Sequence, residues 1–438
     1  MPGSNAQGDL LSRLKQKNFT AAVLGLGYVG LPLAVEYSEA GVSVIGIDTD
    51  GTKIRMIRAG KSYIGDIPSE AIREAVAAGR LRATSDFSAL AEADTVNICV
   101  PTPLRKTKDP DLSYIVAAAE QVAKYIHKDM LIVLESTTYP GTTVEVLVPM
   151  FEKKGLKVGR DIFLAFSPER VDPGNAMYTT KNIPKVVGGV TPRCTKVATA
   201  LYNGVLENVH PVSCASVAEM VKLLENTFRS VNIGLVNEIA LMCDRMGIDV
   251  WEVIDAAKTK PFGFMPFYPG PGIGGHCIPL DPFYLSWKAK QYGFESRFIE
   301  LAGVINGQMP HYVAGKVVDA LNRFRKSVSG AKVLMLGVAY KKNISDVRES
   351  PALDILQLLS NKGAKLSYCD PYVPVLDEHG IRMKAEKFSA ATLRKADCVV
   401  LVTDHDGFDR RMIVRESKVV VDTRNALKGR NGSKVIKL

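Results

Sequence analysis

The chain has 438 residues, 46% hydrophobic and 23% charged, with 56 Lys and Arg against 46 Asp and Glu for a net charge of +10. That length exceeds what a single hydrophobic core organises, so two or three domains are expected, and the composition is that of an ordinary globular protein without low-complexity stretches. No run approaches the ~18 consecutive apolar residues of a membrane span, and the mostly polar residues 1–10 lack the apolar centre of a signal peptide.

The basic balance fits an anionic partner: nucleic acid, acidic lipid or a phosphorylated metabolite. The cations are scattered, and one of the denser clusters, Arg105-Lys106-Thr107-Lys108, reads as solvated surface. Seven Cys, at 99, 194, 214, 243, 277, 369 and 398, are odd in number and form no Cys-x-x-Cys pair. This argues against a disulfide framework or a zinc ribbon, and for a reducing, cytoplasmic setting without a metal site.

From residue 19 to about 205, short apolar runs at 21–24, 42–47, 95–100, 131–135, 163–166 and 185–187 alternate with amphipathic stretches such as 31–40 and 114–126. That alternation predicts a parallel sheet covered by helices on both faces. Gly25-Leu26-Gly27-Tyr28-Val29-Gly30 follows the first run and opens the first helix. Its glycines suit a tight turn, close approach of a pyrophosphate, and packing of helix on strand. The helix N-terminus then faces the phosphates. The next run ends in Asp48, 18 positions after Gly30. A carboxylate there binds ribose hydroxyls and repels a 2′-phosphate, which favours NAD over NADP.

Ser216-Val217-Ala218-Glu219 reads as a capping box opening a long helix, with apolar residues at 217, 220, 221, 224, 228, 231 and 235 and a C-terminal glycine at Gly247. Lys222 and Asn226 lie one turn apart, either as solvated groups or as a charge and a donor aimed into a cleft. Asp249-Val250-Trp251-Glu252 starts another helix, and a Pro/Gly-rich loop at 261–275 leads into His276-Cys277-Ile278-Pro279-Leu280-Asp281. Glycines before a Cys let ligands approach the sulfur, and His276 and Asp281 are both placed to activate it; a buried structural Cys is the plainer alternative. A helix at about 297–324 joins this segment to the last. From 331 to 438 the alternation returns, with strands at 332–336, 365–369, 398–402 and 418–421, but only Gly337 stands where a dinucleotide fingerprint needs three glycines. The fold class expected is α/β: two doubly wound (Rossmann-like) domains, 1–205 for NAD and 326–438 for another ligand, joined by a central helical domain, 206–325, with a ligand cleft between domains.

Seven stretches in order then resemble the UDP-glucose/GDP-mannose dehydrogenase family over residues 19–430. They are Gly25–Gly30, Val100-Pro101-Thr102-Pro103, Glu135-Ser136-Thr137, Ser167-Pro168-Glu169, Lys222–Asn226, Gly274–Asp281, and Tyr340-Lys341-Lys342 through Asp346-Val347-Arg348-Glu349-Ser350. Tyr139-Pro140-Gly141-Thr142-Thr143 and Glu169-Arg170-Val171-Asp172-Pro173-Gly174 are similar to the branch acting on UDP-N-acetylhexosamines.

The resemblance implies two successive hydride transfers from C6 of the sugar, through a thiohemiacetal and a thioester on Cys277. It implies Glu169 as general base, Thr137 and Asp281 placing water and protons, and Lys222 and Asn226 stabilising oxyanions. Cofactor contacts are implied at Gly25, Gly27, Tyr28, Val29, Gly30, Asp48, Lys53, Pro101, Thr102, Thr137 and Arg348. Substrate contacts are implied at Glu169, Arg170, Val171, Lys222, Asn226, Gly274, Lys341 and Arg424. UDP-N-acetylglucosamine, as a precursor of a bacterial-type surface polysaccharide, is the first expectation; UDP-ManNAc, UDP-GalNAc and UDP-glucose are the alternatives. A homodimer or higher homo-oligomer through the central helix is expected, with neither nucleic acid nor membrane as partner.

One departure stands out. The UDP-glucose branch carries an Arg in the loop before its Cys, reaching into the neighbouring subunit, whereas residues 261–275 here hold neither Arg nor Lys, only Lys258 and Lys260 just before. Two rival readings are a two-electron hydroxyacid dehydrogenase, which needs neither the Cys nor residues 331–438, and an NAD-responsive nucleic-acid binder, which needs a basic stripe or helix-turn-helix that the sequence lacks.

Overall fold

The computed structural model describes residues 9–65, 67–103, 109–171, 177–275, 278–430 and 432–438. His276, Cys277, the Arg105–Lys108 cluster and Asp172-Pro173-Gly174 lie outside the described residues. The chain divides into two compact units, Met1–Glu225 with Trp287–Tyr292, and Asn226–Ser286 with Gly293–Leu438.

The first unit is built on an eight-stranded sheet. Its strands are β1 (Thr20–Leu24), β2 (Ser43–Ile47), β3 (Leu81–Thr84), β4 (Thr95–Ile98), β5 (Leu131–Leu134), β6 (Phe163–Phe166), β7 (Lys185–Gly189) and β8 (Val209–Pro211), in the order β3-β2-β1-β4-β5-β6-β7-β8. Strands β4 to β7 are buried along their whole length, which is why they read as continuous apolar runs. The edge strands β3 and β8 carry exposed positions and no such run, and the sequence pattern misses both.

One expectation is corrected. The sheet is not wholly parallel: β6 and β7 pair antiparallel, Ala165 opposite Gly189 and Phe166 opposite Gly188. Among the described residues no helix lies between them, and a strand that returns without a crossover must run back along its neighbour. The reversal brings Lys185, the first residue of β7, to the end of the sheet where β4, β5 and β6 finish.

A second correction concerns the long helix Ala215–Met246. It starts two residues earlier than a cap at Ser216 requires, with the Ala218 amide donating to the Cys214 carbonyl, so Ser216 lies inside the first turn and no capping box forms. Glu219 is buried and reaches instead to the Gly141–Thr143 turn. Its carboxylate accepts from the Gly141 amide at 2.6 Å, the Thr143 amide at 2.9 Å and the Thr143 hydroxyl at 2.6 Å. Burial raises its pKa above the ordinary carboxylate value despite these three donors. At the other end Gly247 is left-handed, φ 71°, and the Ile248 amide donates to the Cys243 carbonyl, closing the helix as expected.

The second unit holds a five-stranded parallel sheet, β9 (Lys332–Leu336), β10 (Lys365–Cys369), β13 (Cys398–Leu401), β14 (Val420–Asp422) and β15 (Val435–Lys437), ordered β10-β9-β13-β14-β15. A hairpin, β11 (Val375–Glu378) with β12 (Ile381–Lys384), turns through His379 and Gly380, both at positive φ. Such a turn matches the twist of a hairpin. With the helices Val250–Ala257 and Arg297–Arg323, the α/β class with two doubly wound sheets and a helical middle stands. No helix among the described residues is long and apolar enough to cross a membrane.

Asp397, just before β13, ties this sheet together. Its carboxylate accepts from the Lys332 amide at 2.9 Å and pairs with Lys418 at 3.0 Å and Lys326 at 2.5 Å. Burial acts against the ionised form, but these partners outweigh it and hold the pKa well below the ordinary value. A depressed carboxylate stabilises the fold fully above its unfolded pKa of ~4 and loses that contribution as pH falls toward the folded value. We predict that Asp397→Asn lowers the unfolding free energy by about 2 kcal/mol at pH 7. In urea titrations the gap to the parent protein should narrow steadily below pH 4; a gap independent of pH would contradict the ionic origin.

Candidate active site

The glycine turn after β1 has the geometry a dinucleotide needs. Gly25 is left-handed, φ 88°, and a Cβ there would come within 2.5 Å of the Cys99 carbonyl oxygen. A Cβ on Gly30 would lie 1.9 Å from the Gly25 carbonyl oxygen, so turn and helix touch through bare backbone. Over Gly27 nothing lies within 4 Å of that position, which leaves the space for a pyrophosphate to approach. Tyr28 and Val29 complete the turn, and Val29 caps the helix Gly30–Glu39.

Asp48, at the end of β2, accepts from the Leu26 amide at 2.8 Å and the Asp50 amide at 2.9 Å, and Lys53 donates to it at 3.0 Å. The carboxylate is thus fixed beside the turn, where an adenosine ribose requires it. Thr102 is buried and Pro101 exposed in the loop after β4. These residues fit NAD.

A second cluster sits at the carboxyl ends of β5 and β6. One oxygen of Glu169 accepts from the Arg170 and Val171 amides, each at 2.7 Å. The Glu169 carbonyl accepts from the Lys222 ammonium at 2.6 Å. Arg170 is held by Glu225 at 2.5 Å and by the Pro184 carbonyl at 2.6 Å. The first unit therefore gathers Glu169, Arg170, Val171 and Lys222. Thr137 is half-buried at the same sheet end, two residues after Glu135.

The second unit holds the remaining candidates. The Asn226 amide donates to the buried carboxylate of Asp281 at 2.5 Å. Lys222 and Asn226, expected to donate to oxyanions, thus each have a protein acceptor. An ammonium carries three N–H donors and a carboxamide two, so one such bond does not exhaust either. The glycines before Cys277 are explained differently from the sequence reading. Cβ atoms on Gly274 and Gly275 would meet Tyr340 at 2.6 and 2.9 Å, and on Gly274 the Glu349 carbonyl oxygen at 2.9 Å. The glycine run is thin because the Tyr340–Pro351 segment presses on it. The Gly275 amide donates to the Arg348 carbonyl at 3.0 Å, and Glu349 takes a left-handed φ of 51° there. A non-glycine residue pays about 1 to 2 kcal/mol for that conformation.

Arg348 lies along Asp346, with contacts of 2.6 to 3.0 Å. Lys341 is half-buried in the loop after β9. Arg424 donates to the Val402 carbonyl at 2.9 Å and covers Gly270, where a Cβ would meet its guanidinium at 2.6 Å. Burial draws its pKa down to about 10. Trp251, Tyr268, Asp255, Asn425 and Lys428 line a pocket with it.

Sequence reading gave two residues no role. Glu135 and Lys185 form a fully buried ion pair at 2.5 Å, and Lys185 lies 3.6 Å from the second oxygen of Glu169. The signal was present: a charge at the end of one apolar strand and another at the start of the next but one. Among the described residues no group of His, Cys, Asp and Glu is arranged to hold a metal ion.

Three patterns of one family match the chain in order: the NAD binding domain of the UDP-glucose/GDP-mannose dehydrogenase family at residues 19–206, its central domain at 216–308 and its UDP binding domain at 334–429. The chain is 38% identical to the UDP-N-acetyl-D-glucosamine 6-dehydrogenase of Pseudomonas aeruginosa over 370 residues, covering 83% of this chain and 86% of that protein. It is 36% identical to an NDP-N-acetyl-D-galactosaminuronic acid dehydrogenase of Ralstonia nicotianae, covering 92% and 95%. The solved UDP-D-ManNAc dehydrogenase of Pyrococcus horikoshii superposes with a TM-score of 0.87 at 33% identity, covering 95% and 98%. The chain belongs to the UDP-glucose/GDP-mannose dehydrogenase family, and is an NAD-dependent oxidoreductase that acts on a CH–OH group of a nucleotide sugar.

Proposed function

We propose that this chain oxidises the C6 alcohol of a UDP-N-acetylhexosamine to a carboxylate, with UDP-N-acetylglucosamine as substrate and a surface-polysaccharide precursor as product. Support for the acetamido sugar comes from the relatives, whose names include GlcNAc, ManNAc and GalNAcA. The observation that carries the chemistry is the Glu169 carboxylate, pinned by two amides through one oxygen and left with the other for proton transfer. Residues 1–205 hold NAD, 206–325 are the helical domain with the catalytic Cys277 loop, and 326–438 bind the uridine diphosphate.

NAD, held by Gly25, Gly27, Tyr28, Val29, Gly30, Asp48, Lys53, Pro101, Thr102, Thr137 and Arg348, supplies the hydride acceptor for both oxidations. The chain's own residues do the rest. The Cys277 thiolate adds to the C6 aldehyde and keeps it from escaping as a thiohemiacetal; the second oxidation leaves a thioester, which water hydrolyses to the acid and the free thiol. Glu169 takes the proton of that water, and Thr137 and Asp281 place water and protons. Lys222 and Asn226 donate to the oxyanions, where losing one donor costs ~3 kcal/mol of barrier. Arg170, Val171, Gly274, Lys341 and Arg424 position the nucleotide sugar. Self-association follows the apolar positions of Ala215–Met246, several of which are exposed, Leu224 and Leu235 among them.

A panel of UDP- and GDP-sugars scored by NADH formation should give turnover with UDP-N-acetylglucosamine and two NADH per sugar; a ratio of one would identify a two-electron enzyme instead. Cys277→Ser should bind NAD and sugar nucleotide in calorimetry yet yield no carboxylate, and full turnover by that variant would remove the sulfur from the mechanism. Glu169→Gln should accumulate a sugar thioester, read as added mass on the intact protein; an unmodified protein during turnover would count against the base role.

A further inference from the structure

The buried pair beneath Glu169 is larger than an ion pair needs to be. Glu135 is fully buried; its Oε1 accepts from the Asn97 amide at 2.8 Å and the Tyr202 hydroxyl at 2.5 Å, and its Oε2 meets the Lys185 ammonium at 2.5 Å. Tyr37 extends the network to Asn97 at 3.2 Å, and Lys185 lies over the Tyr202 ring at 5.5 Å. Both oxygens of Glu135 are therefore matched without Glu169. Yet Lys185 faces a second carboxylate, and Glu169 Oε1 is already taken by two amides, which leaves Oε2 turned to the ammonium at 3.6 Å.

The geometry points to Lys185 as a positioning residue that keeps Glu169 ionised, with Glu135 setting how much of its charge Glu169 feels. This deepens the reading of Glu169 as the hydrolytic base and rests on it. A carboxylate only 13% exposed has lost most of its hydration, and burial alone drives such a group toward its neutral form. An opposite charge within 4 Å reverses that by one to three units. Glu135 takes the shorter contact and the stronger share of the ammonium, so the Glu169 carboxylate faces a cation that another carboxylate already holds. Burial also opposes the charge on Lys185, but Glu135 and Glu169 together outweigh it and its pKa stands above the ordinary lysine value. The other titratable groups at the site are Cys99, whose thiol burial pushes well above its usual pKa, Tyr202 and Tyr37, both raised by burial, and the Arg170–Glu225 pair with Lys222 on the Glu169 peptide. Among the described residues, Lys185 and Glu135 are the groups charged at neutral pH that belong to the network under the Glu169 carboxylate.

The test reads Glu169 directly. In full-length protein labelled with carboxyl-13C glutamate, the resonance that vanishes in Glu169→Gln reports its titration. Lys185→Met should move that titration up by about one unit or more. Glu135→Gln, which frees the ammonium for Glu169 while keeping the Asn97 and Tyr202 partners occupied, should move it down. The double variant Lys185→Met, Glu135→Gln leaves no unpaired buried charge, so it keeps the question open to measurement should Lys185→Met fold poorly; it too should shift the titration up. Lys185→Arg should restore most of the parent value. Shifts of the same sign in all variants, or none, would overturn the proposal, since a purely structural pair changes stability without opposite displacements. The acidic limb of kcat, measured with NAD and the panel sugar that turns over, should follow the same order and be absent from Glu169→Gln. If the resonance shifts as stated but the limb persists in Glu169→Gln, the base role fails while the electrostatic coupling stands; if the limb is lost there but no resonance moves, the coupling alone fails.

Discussion

Parallel strands buried on both faces end in loops whose amides must find acceptors away from water, and in this chain carboxylates at the strand ends supply them. Asp48 follows β2 and takes the Leu26 amide; Asp370 follows β10 and takes the amides of Val338, Ala339, Tyr372 and Val373; Asp422 ends β14 and takes those of Arg424, Ala426 and Leu427. Each loop is thereby locked in the place where, in a doubly wound sheet, ligands bind. Arg424 shows the consequence. Its amide is held by Asp422 and its Nε by the Val402 carbonyl, so the backbone fixes where the cation lies.

The same device gives opposite outcomes in the two sheets. After β1 the turn has three glycines and open space above Gly27. After β9 only Gly337 remains, packed against Thr403, and Val338 and Ala339 are fully buried. Asp370, the counterpart of Asp48, is spent on turn amides and on the buried His405, whose other ring nitrogen accepts from the Asn343 amide. With Nδ1 accepting, Nε2 is the nitrogen that faces Asp370. Nothing in that turn offers a pyrophosphate bare backbone, which accounts physically for one sheet carrying the dinucleotide and the other presenting side-chain cations, Lys341 and Arg424.

Much of this was legible in the sequence because it depends on period and on small residues. Continuous apolar runs marked β1, β2 and β4 to β7, and Gly25, Gly27, Gly30 and Asp48 carry their meaning in their spacing. What escaped depends on partners far along the chain. Glu219 sits where a capping box would place it, yet its acceptor capacity goes to Gly141 and Thr143, 78 and 76 positions away. Gly274 and Gly275 read as room beside the sulfur, and the need for glycine there also comes from Tyr340, far along the chain, which a Cβ at either position would meet. The β6–β7 reversal has no signature in the burial of either strand, both being buried along their length, and β3 and β8 lie at edges where burial is one-sided or absent.

Glu135 and Lys185 belong to that second class, and their burial bears on why they are there. Removing two charges from water costs several kcal/mol per ion, and a well-packed apolar pair of equal volume is often as stable. Stability alone therefore does not call for the pair. What an apolar replacement cannot do is hold a fixed positive charge 3.6 Å from a third group, Glu169, while a second carboxylate limits its pull. The antiparallel return of β7 is what delivers Lys185 to that end of the sheet; a parallel strand would begin at the opposite end. The one irregular strand pairing in the first unit and the electrostatic environment of the proposed base are, on this view, the same feature of the fold.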